Sequence, residues 1–267
     1  MVATVDPGTL LGHRLDVSDL DLERSFREVP LDEASLRCLQ YMHDVESHTV
    51  CYLRDTLVTP AHEDPRLTTF LTMWVFEEHW HGEALSTVLR AHGRPAGTER
   101  IISLRGQMRR VQRWRPVSFL IGSLVVPDMV AVHMAWGAIN ELTTQAGYAQ
   151  LARKAGHPVL TELLRRIMRQ EGRHVDFYAG EARRRLASSR AAQRVTRIAL
   201  GRFWQPVGHG VLPKDETDFL IAHLFDGERG EEVAARIDRH VDRLPGLAGL
   251  DLVSAAVRRR VQLRAAA

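Results

Sequence analysis

The 267-residue sequence predicts an all-α protein, a four-helix bundle with additional flanking helices. Two observations carry that prediction. Apolar residues recur at three- and four-residue intervals through long segments, and no segment sustains two-residue alternation. Prolines, glycines and capping side chains fall at the ends of those segments. The chain is 45% hydrophobic and 26% charged, which supplies a core and excludes disordered, collagen-like and low-complexity classes. It reads as one domain over 1–267, with a bundle core at about 32–187 and a C-terminal helical extension at about 188–267.

The elements follow in order. A first long helix spans about Asp32 to Leu57, entered through Pro30, with Asp32 and Glu33 favouring its positive end. A second spans about Pro65 to Ala91 and stops at Gly93-Arg94-Pro95. A third begins at the N-cap candidate Thr98 and ends near Trp114, before Pro116. The fourth starts near Pro127 and ends at Gly156, and the fifth runs from Pro158 to about Ala187. The short break Gly156-His157 makes those two an antiparallel pair. Shorter helices are expected at Ser189 to Phe203, Pro213 to Phe225, Glu228 to Val241 and Asp251 to Leu263. The Gly/Pro stretch from Pro206 to Pro213 reads as a loop within the domain.

Lys+Arg number 36 and Asp+Glu 33, a balance of +3 that does not argue for nucleic acid. Charge is segregated, however. Met1 to Glu46 is acidic, whereas Arg165 to Arg202 is rich in arginine and fits either a solvated face or a docking surface for an acidic partner. Two cysteines, Cys38 and Cys51, cannot form a disulfide framework or a four-thiolate site. Met1 to Asp6 lacks a basic start followed by an apolar run, so a cytoplasmic protein is expected. The most apolar stretch, Val117 to Ile139, is interrupted by Pro127, Asp128 and His133 and falls short of the ~20 residues a bilayer needs.

The apolar stripes carry an anomaly. Glu46 fills the slot between Met42 and Val50 in the first helix. Glu78 and His81 fill the slots between Trp74 and Leu85 in the second. Glu141 follows Met134 and Ala138 in the fourth, and Glu171 and His174 separate Ile167 from Phe177 in the fifth. Four helices thus turn a carboxylate toward the core, where an unpaired charge costs several kcal/mol. Two divalent cations would balance four glutamates, and neutral imidazoles can ligate alongside them. Glu78 and His81, like Glu171 and His174, sit at i and i+3 on one helical face. Glu46 precedes Glu78 by 32 residues and Glu141 precedes Glu171 by 30, which suggests two helix pairs with equivalent ligands. This is the ligand set of ferritin-like di-iron and di-manganese bundles. Mixed carboxylate and imidazole donors argue for iron or manganese and against a thiolate-bound metal. Thr144 lies one turn beyond Glu141, where its hydroxyl can relay a proton or simply bond the backbone.

At these residues the sequence resembles the soluble acyl-[acyl-carrier-protein] desaturases of the ferritin-like di-iron superfamily. Glu77-Glu78-His79-Trp80-His81-Gly82 is similar to that family's Glu-Glu-Asn-Arg-His-Gly helix. Asn140-Glu141-Leu142-Thr143-Thr144 is similar to its Gln-Glu-Arg-Ala-Thr segment, and Gln170-Glu171-Gly172-Arg173-His174 to its Asp-Glu-Lys-Arg-His segment. Leu151 to Gly156 shares its Leu-Ala-x-x-x-Gly character. The resemblance covers about Leu36 to Ala187 and implies a ferritin-like bundle with two Fe ions. It further implies use of dioxygen, a ferredoxin-like electron donor, an acyl chain on an acyl carrier protein, and a homodimer. Carried over by position, Glu46, Glu78, His81, Glu141, Glu171 and His174 are the ligands, and Thr144 is the hydroxyl on the oxygen side. Trp80 stands where the family has Arg, and Gln170 where it has Asp.

Further residues are open to two readings. Trp74, Trp80, Tyr148 and Tyr178 fit core packing or an electron path. His43, His48 and His79 lie near ligands and read as surface or supporting residues. Met134, Trp136, Phe119, Leu120 and Ile121 fit an apolar tunnel or ordinary core. Arg183, Arg184, Arg185, Arg190 and Arg194 are the docking candidates for an acidic carrier or electron donor. A di-iron hydroxylase or N-oxygenase of a biosynthetic metabolite, and a non-catalytic metal-binding protein, remain as alternatives.

Overall fold

Side-chain caps fix the starts of several of the long helices. A computed structural model describes residues 14–107 and 110–265. The segment Met1 to Asp6, read above for a leader, lies outside the described residues, as do residues 108–109 in the expected third helix. In chain order the helices are α1 (Leu22–Glu28), α2 (Glu33–Glu46), α3 (Thr49–Leu57), α4 (Pro65–Ala91), α5 (Gly97–Gly106), α6 (Arg110–Val125), α7 (Met129–Ala155), α8 (Pro158–Ser188), α9 (Arg190–Phe203), α10 (Lys214–Leu224), α11 (Gly227–Asp242) and α12 (Leu252–Ala265). Among the described residues there is no strand, and the fold is all-α. Asp32 caps α2 by accepting from Ser35 N at 2.8 Å. Asp64 does the same for α4 through Arg66 N, and Asp128 for α7 through Ala131 N, both at 2.9 Å.

Helices α2, α4, α7 and α8 form the bundle. α7 and α8 pack along their length as a hairpin, α2 packs on α4, and contacts of α2 with α7 and of α4 with α8 close the arrangement. Leu31 N, just before α2, donates to the His92 ring just after α4, so α2 and α4 run antiparallel. Leu39, Phe70, Leu85, Met134, Ile139, Leu151, Leu164 and Tyr178 fill the centre. Leu200, Trp204, Leu224, Phe225 and Ile237 of the C-terminal helices belong to the same continuous apolar cluster.

Two helix boundaries differ from expectation. The first long helix breaks at Ser47-His48, so Glu46 is the last residue of α2. The break satisfies its own backbone: Thr49 Oγ1 donates to Glu46 O at 2.7 Å, and Arg105 donates to Ser47 O at 2.9 Å. It also shifts the phase, leaving Val50 exposed instead of on the apolar stripe. The expected third helix is two. α5 ends at Gly106, Thr98 lies inside it while Ala96 stands at its cap, and Pro116 sits within α6 instead of ending a helix. No helix among the described residues is long and apolar enough to cross a membrane.

Candidate metal centre

The i, i+3 spacing works as the sequence implies. α4 turns Glu78 and His81 inward, α8 turns Glu171 and His174 inward, and α2 and α7 each add one carboxylate, Glu46 and Glu141. All six are buried, from 0% exposure for His81 and Glu171 to 6% for Glu141. Their donor atoms fall into two groups of four, each with all atoms within 4.8 Å of one another. One group is Glu46, Glu78, His81 and Glu171, and the other is Glu78, Glu141, Glu171 and His174. Glu78 and Glu171 belong to both.

The imidazoles show that these residues fit metal ions. Each histidine is fastened by its outer nitrogen. His81 Nε2 is 2.7 Å from Gln170 Oε1, and His174 Nε2 is 2.7 Å from Glu77 Oε2. An amide oxygen and a carboxylate only accept, so both Nε2 atoms carry the proton and both Nδ1 atoms turn inward as bases. His81 Nδ1 faces Glu171 Oε1 at 3.3 Å and Glu46 Oε2 at 3.9 Å. His174 Nδ1 faces Glu78, Glu171 and Glu141 oxygens at 3.1, 3.2 and 3.8 Å. Glu46 Oε2, Glu78 Oε1, His81 Nδ1 and Glu171 Oε1 are buried without a hydrogen-bond partner. Four orphaned polar atoms aimed at one another describe a cation site, since burial without compensation costs about 1–3 kcal/mol for each such group.

Electrostatics gives the same picture. Burial, then the neighbouring Glu46 and Glu171, push the Glu78 carboxyl well above the usual range. Burial and Glu171 do the same to Glu141. Burial also disfavours the Glu171 carboxylate, but the His174 and His81 imidazoles beside it outweigh burial and hold the group below its ordinary value. Protein alone therefore relieves the repulsion by protonating carboxyls and imidazoles. Cations would relieve it with every ligand in its binding form.

Outside the six, Trp74 Nε1 donates to Glu141 Oε1 at 3.0 Å, and the Tyr148 hydroxyl donates to Glu46 Oε1. Arg173 bonds Glu77 at 2.6 Å, completing a chain from solvent-facing Arg through Glu77 to His174. Gln170 replaces the expected Asp yet still accepts from His81. Trp80 replaces the expected Arg, and the Arg14 guanidinium stacks on it 4.1 Å from the ring centroid. The roles of Trp74, Tyr148 and Glu77 were not drawn from the sequence. The available signal was their position: Trp74 is one turn before Glu78, Tyr148 two turns after Glu141, and Glu77 next to a ligand.

A cavity of about 280 Å³ ends on Glu46, Glu78, Glu141 and Thr144. Its walls include Trp74, Trp136 and Phe203, and buried Asp55 pairs there with the partly exposed Arg54 and Arg115. The loop at 206–213 forms one side, contributing Val207, Gly208 and His209. Gly208 has φ +84, and a Cβ there would run into the Tyr41 side chain, so the loop closes only with glycine. Of the expected tunnel residues only Trp136 lines this cavity. Met134 is fully buried core, Phe119 packs 4.8 Å from the His133 ring, and Leu120 and Ile121 point to solvent. His48 lines the cavity, His43 is buried against Asp44 at 3.0 Å, and His79 is exposed.

Among the docking candidates, Arg184 is bonded to Glu181 at 2.5 Å, and Arg185 to Glu181, Asp64 and Asp128. Arg190 and Arg194 are exposed. No family model matches the chain and no curated protein matches it, so the assignment rests on the geometry of the buried cluster.

Proposed function

We propose that the protein is a dinuclear-metal oxidoreductase that uses dioxygen to oxidise an apolar, acyl-type chain. Iron is the favoured metal and manganese the alternative. The observation that carries the reading is the pair of four-residue groups sharing Glu78 and Glu171, with both imidazoles presenting Nδ1 inward. Glu46 and His81 complete one position, and Glu141 and His174 the other. Bound iron would supply the capacity to reduce dioxygen and oxidise an unactivated C–H bond.

The chain's own residues have separable tasks. Gln170 and Glu77 hold the two ring tautomers, and Trp74 and Tyr148 fix one oxygen of Glu141 and of Glu46. Trp136, Phe203 and Val207 give the approach to the cluster one apolar side, against which a chain can be oriented. Thr144, at the inner end of the cavity beside Glu46 and Glu141, places a hydroxyl where a proton can be handed on.

By resemblance, the substrate is carried on an acyl carrier protein, electrons come from a ferredoxin-like donor, and two copies pair. Arg183, Arg190 and Arg194 make no ion pair with an acid among the described residues, and charge reversal at these three tests that part. A hydroxylase or N-oxygenase reading is favoured by Arg54, Asp55 and Arg115 in the cavity, which suit a substrate with a polar end. Product mass under labelled dioxygen separates the two: a double bond without label, or retained oxygen. The metal reading is tested by anaerobic reconstitution and metal analysis. Two ions per chain are expected, and fewer than about one would refute it.

A further inference from the structure

Helix α6 is turned inside out relative to the bundle helices. Trp114, Val117, Leu120, Ile121, Leu124 and Val125 are all exposed, Leu124 at 79% and Val125 at 76%. At helical spacing these six fall within an arc of about 140° and along about 16 Å of axis. The opposite face holds Arg115, paired with Asp55 at 3.3 Å, and Phe119, packed against His133. A solvated helix places its polar side outward, and a contiguous apolar stripe left in water marks an interaction surface.

The sequence around the stripe indicates what covers it. No Asp or Glu occurs from Ile101 to Pro127, whereas Arg110 and Arg113 precede the stripe at positions that helical spacing assigns to its arc. A second copy of the same helix would set these arginines against their own kind. An acidic protein would answer the charge and leave the aliphatic residues unmatched. An anionic lipid surface answers both: headgroup phosphates for the arginines, the acyl boundary for Leu and Val, and the interface for Trp114. The stripe is too short to cross a bilayer and is the right kind to lie in its face.

We propose that α6 docks the protein on anionic membrane surfaces through Trp114, Ile121, Leu124 and Val125. Arg115 also lines the cavity that ends on the carboxylate cluster. That residue lies on the face opposite the stripe, so the docked helix stands between the lipid surface and the cavity wall.

The test is co-sedimentation of the full-length, metal-loaded protein with vesicles. One set is phosphatidylcholine, and in the other about a third of the lipid is phosphatidylglycerol. Binding to the anionic set is expected to be at least ~10-fold tighter and to weaken with salt. The double variant Leu124→Asp, Val125→Asp is expected to lose at least ~10-fold in binding. Both residues are exposed, so its helical circular dichroism and metal content are expected to match the parent. Absence of binding to the anionic set, or equal sedimentation of variant and parent, overturns the proposal. So does a native-mass dimer that the double variant dissolves, because the stripe would then belong to a second copy. The readout needs no turnover, so this surface and the metal reading fail independently.

Discussion

Replacing Gln170 by leucine tests the arrangement of the centre without touching a ligand. Gln170 is buried, and its Oε1 lies 2.7 Å from His81 Nε2. Leucine removes that acceptor at similar volume and leaves a buried ring N–H unsatisfied, a cost of about 1–3 kcal/mol. The larger consequence concerns the tautomer. Once Nε2 no longer prefers the proton, His81 divides between two forms, and only one presents Nδ1 to Glu46 and Glu171. Loss of such an outer partner costs about 10–100-fold in metal affinity. Competition of the reconstituted protein against a chromogenic chelator measures it. Gln170→Glu, which restores an acceptor oxygen, is expected to recover the affinity. If Gln170→Leu folds and binds metal within about twofold of the parent, the claim that the Gln170 bond orients His81 is wrong.

Three further outcomes are expected. Trp74→Phe keeps the ring but strips Glu141 of its indole donor, lowering stability by about 1–3 kcal/mol in urea titration of the metal-free protein. Gly208→Ala forces a side chain onto a backbone at φ +84 and against Tyr41, and should open the loop beside the cavity, read as faster amide exchange there with the bundle core unchanged. His133 is buried, and burial and Arg115 bring its pKa down from 6.5 to about 4. The neutral ring is the folded form, so its contribution is complete above about pH 6.5 and is lost as pH falls toward 4, roughly 3 kcal/mol in all. His133→Phe is expected to flatten the stability slope between pH 7 and 5, and an unchanged slope would show that His133 does not carry it.

The parts that were legible in the sequence obey local rules. Asp64 before Pro65, Asp128 before Met129 and Gly156-His157 before Pro158 mark ends that their own side chains and turn enforce. The six candidate ligands were legible because a carboxylate out of place in an apolar stripe is visible from periodicity alone. The break after Glu46 was not, because Ser47-His48-Thr49 contains no proline or glycine. It is held from elsewhere, by Arg105 on the Ser47 carbonyl and by Gly82, where an added Cβ would stand 3.4 Å from Ser47 Oγ. Pro116 misled for the converse reason, a local helix-ending signal overridden within α6. The pairings His81–Gln170 and His174–Glu77 depend on how α4 and α8 are rotated against each other, which one helix's sequence does not encode.

The position of Glu46 at the last turn of α2 makes the centre mechanically uneven. Glu78, Glu141 and Glu171 hang from helices that continue for several turns on both sides, so moving any of them bends a rod. Glu46 hangs from the end of one, where the chain passes into α3 through two non-helical residues and a hydroxyl clasp. The cavity opens on that same carboxylate. The compliant corner of the cluster lies on the way into it, so a ligand entering the cavity meets, beside Glu78 and Glu141, the one carboxylate whose backbone can shift without bending a bundle helix.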